Sequence, residues 1–289
     1  MLQLYDSKSD LHCTGPQKVT AGVVSLLLIV IGFFAGMVGA LAGIGGGIII
    51  TPILALHFGV PIHQAIGTSL VAVITTSAAS SSIHLQRHTT DVRLAMTLEL
   101  ATSLGALVTA YMVGYLNRTA LEILFAAFLL YAAVSLIRGK NKEIEAQEKT
   151  GPLLGSTVHI PDYEPKRYPL GLSASLIAGG LSGLLGIGGG PIKVPVMYLF
   201  MDVPLIVATA TSNFMIGVTA AASAFVYFRR GDILASLASP LAVGVFAGSI
   251  VGARLVPYIH SKYVVYLLIA IMLYLSGHMM VHVAGEFAR

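Results

Sequence analysis

Residues 43–47 read Gly-Ile-Gly-Gly-Gly, and at an offset of 143 residues positions 186–190 read Gly-Ile-Gly-Gly-Gly again. The same offset carries Pro52 onto Pro195, Val60-Pro61 onto Val203-Pro204 and Thr68-Ser69 onto Thr211-Ser212. A shared pentapeptide followed by further matches in register reads as an internal duplication, a recurrent plan of secondary transporters. A glycine in a helix interior costs about 1 kcal/mol relative to alanine, so three in succession break a helix. Both runs lie in apolar sequence, and unwound backbone at membrane depth is tolerated only inside protein or along a water-filled cavity. A helix restarting after each run, at 48–58 and 191–201, would aim free N–H groups and the positive end of its dipole into that space, a ready seat for an anion. Pro191 stands where a first-turn proline is expected. The two seats, Gly45, Gly46 and Gly47 in one copy and Gly188, Gly189 and Gly190 in the other, would face each other near the middle of the membrane. No Gly-Lys-Ser/Thr follows either run, which argues against a nucleotide-binding P-loop.

Composition sets the surroundings. Of 289 residues, 56% are apolar and 10% charged, with a mean hydropathy of +0.84, against roughly 25% charged residues in an average soluble domain. So few charges cannot cover a water-facing surface, and the fold class expected is an all-α polytopic membrane protein. The single cysteine, Cys13, excludes an internal disulfide and a cysteine-based metal centre. The net charge of +4 comes without a basic stripe interleaved with aromatics, so nucleic acid is not an expected partner. Segments of the roughly 20 residues that cross a bilayer fall at 19–42, 64–85, 92–115, 119–138, 168–187, 207–228, 233–256 and 262–283. The first is too long for a signal-peptide core and reads as a retained span. The organisation expected is a polar tail at 1–18, a first membrane repeat at 19–138, a linker at 139–167, a second repeat at 168–283 and a tail at 284–289. The linker alternates charge (Lys140, Lys142, Glu143, Glu145, Glu148, Lys149) and then carries Pro152, Pro161 and Pro165. It reads as a cytoplasmic connector.

Whether the copies run parallel or inverted depends on the short glycine-led segment. A re-entrant segment leaves four spans per half and parallel halves; a crossing segment gives a five-plus-five inverted repeat. Lysine and arginine concentrate on cytoplasmic loops. Four-plus-four places Lys8, Lys18, Arg87, Arg93, Arg138, Lys140, Lys142, Lys149, Lys166, Arg167, Arg229, Arg230 and Arg289 on one side, against Arg118, Arg254 and Lys262 on the other. That polarised split favours two halves of four spans, each with one short re-entrant or partly inserted helix, and both termini in the cytoplasm. The inverted five-plus-five arrangement is the alternative.

Lys193 follows the second glycine run in otherwise apolar sequence, where the first copy has Ile50. An ionisable side chain at membrane depth is a functional candidate by default, and its sign suits an anionic substrate. Thr68-Ser69 and Thr211-Ser212-Asn213 open the third helix of each half and offer hydroxyl and amide donors; interhelical hydrogen bonding would explain them equally well. Glu99 is the most deeply placed carboxylate, a candidate for coupling to an ion gradient or for pairing with Lys193, whereas Glu122 reads as interfacial. His84 and His88 share a helical face without a third ligand, so no metal is expected. Asp91 and Asp232 look like equivalent N-caps at a shifted offset of 141. Neither Ser-His-Asp, HExxH nor GxSxG is present to suggest an intramembrane enzyme.

The duplicated Gly-Ile-Gly-Gly-Gly…Pro…Val-Pro…Ala-x-x-Thr-Ser unit, with Arg-Arg-Gly-Asp at 229–232, resembles the sulfite exporter TauE/SafE permeases over about residues 20–283. The resemblance implies a multi-pass carrier of the inner (plasma) membrane. Its cargo would be sulfite, sulfoacetate or related sulfur-containing or organic anions, driven by a proton or sodium gradient. The expected function is thus a secondary transporter, in the export direction, alternating access around a midplane site. The partners would be a small anion, the bilayer and a coupling ion, with no cofactor; homo-oligomerisation is left open. A passive anion channel is the first rival, and a membrane enzyme or scaffold the second.

Overall fold

The computed structural model describes residues 16–150, 163–256 and 261–287, with side chains for 22–135, 137, 163–204, 206–256 and 266–282. The tail at 1–15, the linker stretch 151–162 and the last two residues lie outside them. The described residues form ten α-helices: α1 (Pro16–Ala42), α2 (Gly47–Leu56), α3 (Ile62–Gln86), α4 (Val92–Met112), α5 (Arg118–Thr150), α6 (Tyr168–Leu185), α7 (Gly190–Phe200), α8 (Leu205–Arg229), α9 (Ala235–Leu255) and α10 (Ser261–Phe287). Seven stretches of them are long and apolar enough to cross a membrane: Gly22–Ala42, Ile62–Gln86, Val92–Tyr115, Arg118–Ser135, Tyr168–Leu185, Ile206–Arg229 and Ala235–Leu255. The apolar part described in α10, Tyr266–His282, is shorter. The chain is a multi-pass membrane protein. α5 continues as helix through the first part of the expected linker, to Thr150.

Sequence punctuation explains the breaks. α3 and α8 start directly after Pro61 and Pro204, whose fixed φ suits a helix entrance. α4 is capped by Asp91, whose Oδ1 accepts from the Leu94 N–H at 2.9 Å. The starts of α2 and α7, α3 and α8, and α4 and α9 each differ by 143 residues. The Asp91–Asp232 equivalence therefore fails: the residue before α9 is Leu234, and Asp232 instead pairs with Arg230 at 3.1 Å.

Small residues bring helices from opposite ends of the chain together. A methyl group on Gly244, Gly248 or Gly252 of α9 would run into the carbonyls of Ile29, Phe33 and Met37 of α1 in turn, so these helices lie parallel. On the other side Gly179 and Gly183 of α6 abut the carbonyls of Thr102 and Ala106 of α4, again in parallel. α3 and α9 are parallel too, since Thr68 meets Leu234 near their starts and the Arg87 guanidinium donates to the Ala253 carbonyl near their ends. α3 and α8 run antiparallel: Gly67 lies against Asp232, Ser77 donates to the Asn213 carbonyl, and Thr211 meets Asp91. α5 and α10 are likewise antiparallel, through Ser276 to the Ala126 carbonyl and His282 beside Glu122.

These directions decide between the two topologies. α1 and α3 point the same way, so α2 turns back between them, and every element of the second half runs opposite to its counterpart in the first. The parallel-halves expectation is overturned in favour of the inverted alternative. The reason is that α1 ends beside Thr209, in the second turn of α8, short of the far face, and the ten-residue α2 returns towards the side from which α1 came. Ten residues rise about 15 Å, half of a hydrocarbon core of about 30 Å. α5 therefore leads to the face opposite to the one from which α1 starts and to which α10 returns.

Candidate functional site

The glycine turns adopt a backbone shape that side chains resist. φ is 70°, 79° and 67° at Gly43, Gly45 and Gly46, and 68°, 82° and 77° at Gly186, Gly188 and Gly189, all in the left-handed region. The two turns then touch. A methyl on Gly47 would lie 2.5 Å from the Gly186 carbonyl oxygen, and one on Gly190 would strike the Gly43 carbonyl. Val73 and Ile216 reach over both turns from α3 and α8. Each is the twelfth residue of a 25-residue helix, which sets the meeting point at mid-height of the central pair. From there α2 and α7 lead away to opposite faces with their N-termini at the centre. All six expected glycines are brought together, with Pro191 as the second residue of α7. In this conformation Val73, Ile216 and the two glycine carbonyls fill the contact.

The Thr-Ser steps tie each half to the other. Thr68 Oγ1 accepts the Leu234 N–H at 3.2 Å and Thr211 Oγ1 accepts the Asp91 N–H at 3.0 Å, so each threonine satisfies the entrance to a helix of the opposite half. Ser69 donates to the Gly186 carbonyl at 3.4 Å as well as to Ile66 at 2.8 Å, and Ser212 donates to the Gly43 carbonyl at 3.1 Å. Thr51 of α2 donates to Ser69 at 2.8 Å. Asn213 donates through Nδ2 to the Ala40 carbonyl at 3.2 Å, while its buried Oδ1 has no partner among the described residues.

Charge enters the centre at one place. Lys193, in the first turn of α7, has a side chain 1% exposed, and its Nζ lies 3.3 Å from Oε2 of Glu99, itself 6% exposed. The same ammonium donates to Thr219 Oγ1 at 3.0 Å, and Thr219 donates to Glu99 Oε1 at 2.6 Å. Ser103, one turn below Glu99 on α4, donates to the same oxygen at 2.8 Å. The pairing of Lys193 with Glu99 is the one the sequence suggested. Thr219 and Ser103 were missed, although two signals were available: Ser103 is four residues from Glu99, and Thr219 repeats Thr76 at the 143-residue offset. The corresponding positions of the other half hold Ile50, Ala242 and Phe246 against Lys193, Glu99 and Ser103, so the ion pair exists once.

Other candidates lie apart. Glu122, one turn into α5, is buried at 3% exposure, held by Arg118 at 2.8 Å, with His282 at 3.8 Å. It sits in the α5–α10 pair, one helix turn from the α4–α5 connection, where α10 covers it. His84 ends up buried within α3, but His88 lies beyond the helix at φ 53°, so the two do not share a helical face. Among the described residues no group of three His, Cys, Asp or Glu could hold a metal ion. At the linker side the Tyr163 hydroxyl donates to Asp91 Oδ2 at 2.7 Å, and burial, then this hydrogen bond, push its pKa well above the usual tyrosine range. Lys166 pairs with Asp202 at 3.3 Å beside it.

A protein from Bacillus subtilis named "Probable membrane transporter protein YunE" is 29% identical over 269 residues, covering 89% of this chain and 97% of its own. A "Probable membrane transporter protein" from Methanocaldococcus jannaschii is 27% identical, covering 82% and 88%. No solved structure matches. The family model described as Sulfite exporter TauE/SafE matches residues 28–280, and so takes in both glycine turns, both Thr-Ser steps and the Lys193–Glu99 pair. The chain belongs to the sulfite exporter TauE/SafE family and is a membrane transporter.

Proposed function

We propose that the protein is a secondary transporter that exports small sulfur-containing or organic anions, such as sulfite or sulfoacetate, with its site where the glycine turns cross. The observation that carries the reading is Lys193, an ammonium buried in the first turn of α7, at the N-terminus that starts from the glycine crossing. Desolvated cations and helix dipoles of this sign favour an anion. The inverted halves fit alternating access around a fixed central site. The contact filled by Val73 and Ile216 speaks for a carrier rather than an open channel. In the state described here the Thr68, Ser69, Thr211 and Ser212 hydroxyls hold the halves together, so they serve substrate only after the halves separate.

Purified protein in liposomes should take up one or more of sulfite, sulfate, thiosulfate and a short sulfonate. The uptake should be saturable and responsive to an imposed pH gradient, and Lys193→Met should abolish it. Non-saturating, gradient-independent conductance would favour the channel reading. With the inverted topology, Lys8, Lys18, Arg118, Arg229, Arg230 and Arg289 lie on the side of the termini. Arg87, Arg93, Arg138, Lys140, Lys142, Lys149, Lys166, Arg167, Arg254 and Lys262 lie on the linker side. This balance supports a cytoplasmic linker and external termini, in a cell inner membrane. Alkaline phosphatase fused at the C-terminus should be active, and a silent fusion would reverse the orientation.

A further inference from the structure

We propose that Glu99 is the resident occupant of the anion site, leaving Lys193 free for substrate only when it takes up a proton, so that each anion binds together with one proton and export runs down the anion's own concentration gradient. This rests on the anion-carrier reading. The pair as it stands is neutral and internally satisfied. Glu99 Oε1 receives Thr219 and Ser103, and Oε2 faces the ammonium. An anion arriving beside Lys193 while Glu99 is charged would set two negative charges against one positive charge in a site closed to water, where such an excess is expensive. A proton from solvent on the Glu99 carboxylate removes that conflict. The carboxylic acid keeps its contact with Thr219, whose hydroxyl can turn to the Met215 carbonyl at 3.2 Å, and the ammonium becomes an unneutralised cation poised for the anion. Thr219 touches both partners and so links the two events.

Among the described residues the helices packed around the pair, α4, α6, α7 and α8, carry no other carboxylate and no histidine. Besides the pair, the helices packed around it carry Arg93 and Tyr111 on α4, Tyr168 on α6, Tyr198 on α7, and Tyr227 and Arg229 on α8. Arg93, Tyr111, Tyr168 and Arg229 are exposed on the outer surface or at helix ends, and the Tyr227 hydroxyl is committed to the Gly183 carbonyl. The other half offers no second pair, since Ile50 and Ala242 stand in those places. The stoichiometry is therefore one proton, not two.

The test is anion binding to the full-length protein in lipid nanodiscs, titrated calorimetrically at fixed pH in two buffers of different ionisation enthalpy. The probes are a short sulfonate of fixed charge, then sulfite, sulfate and thiosulfate with their own protonation subtracted. The wild type should take up about one proton per anion, and its affinity should rise about tenfold per pH unit of acidification while Glu99 is ionised. Glu99→Gln should bind the anion with no proton uptake and no pH dependence. The charge-free double variant Glu99→Gln with Lys193→Met serves as a folded control and should bind none. Binding without proton uptake in the wild type, proton uptake that survives in Glu99→Gln, or binding by the double variant would each overturn the inference. No binding of any of the four anions by the wild type would overturn the carrier reading itself, and the inference with it.

Discussion

Replacing Lys193 by methionine keeps the length of the side chain but strands the Glu99 carboxylate in a site where it is 6% exposed. At 3.3 Å and an effective dielectric constant of about 20, the lost attraction is about 5 kcal/mol. Part of it only offsets the desolvation of the two ions, and removal of one partner of a buried pair typically costs about 3–5 kcal/mol. Glu99→Gln strands the ammonium instead and should cost a similar amount. The double variant buries no charge and should be about as stable as the wild type, because neutral replacements of a buried pair are often neutral or stabilising. Thermal unfolding of the four proteins in lipid nanodiscs closes the cycle, with a non-additivity equal to the sum of the two single losses, about 6–10 kcal/mol, beyond the roughly 3 kcal/mol usual for residues in contact. Losses that simply add, leaving the double variant the least stable of the four, would mean that the two side chains do not meet in the bilayer. The mid-membrane site would then lose its charged element.

Gly248→Val should destabilise the α1–α9 contact by about 1–3 kcal/mol, the usual overpacking penalty, whereas Gly277→Ala, with open space around it, should be neutral or stabilise by up to about 1 kcal/mol; unfolding midpoints compare them. Gly188→Ala combines left-handed strain with a clash against Ile216, and should depress anion flux per molecule at unchanged expression. Thr68→Val and Thr211→Val each leave one helix-entrance N–H unpaired and should each cost about 1 kcal/mol, measurable as matched shifts of the unfolding midpoint. The Tyr163–Asp91 hydrogen bond needs the protonated phenol, whose folded pKa is raised. Its stabilisation should therefore be constant below the unfolded tyrosine pKa of about 10 and decline above it, so that wild type and Tyr163→Phe converge in alkali.

Local chemistry was the legible part of this protein. Three glycines in an apolar run announce a break, and the turn at Gly186–Gly189 repeats that at Gly43–Gly46 because only glycine holds those φ values. A lone lysine and a lone deep carboxylate have few places to go in a low-dielectric interior, which is why the Lys193–Glu99 pairing could be anticipated from their types alone. What stayed hidden depends on partners far along the chain. Thr68 supplies the acceptor at the start of α9 from 166 residues away, so Leu234 carries no capping signature and Asp232 drew the assignment by mistake. Loop charges count only sides, and they favoured parallel halves because they do not register where α1 stops. The direction of α2 follows from Gly43 lying beside Thr209, a contact between the halves. The burial of Glu122 was hidden as well, because its cover comes from α10, at the other end of the sequence.

A transporter built from two interchangeable inverted halves would have no preference between opening to one side of the membrane and opening to the other, since a half-turn about the central axis would convert one state into the other at no change in energy. The solitary ion pair removes that indifference. With charge clasped on one side of the crossing and isoleucine with alanine on the other, the two open states cannot be isoenergetic, and each 1.4 kcal/mol between them is a tenfold bias in occupancy. If the protein alternates access as proposed, it would have a built-in resting posture, with the facing it adopts when idle set by side chains rather than by the fold.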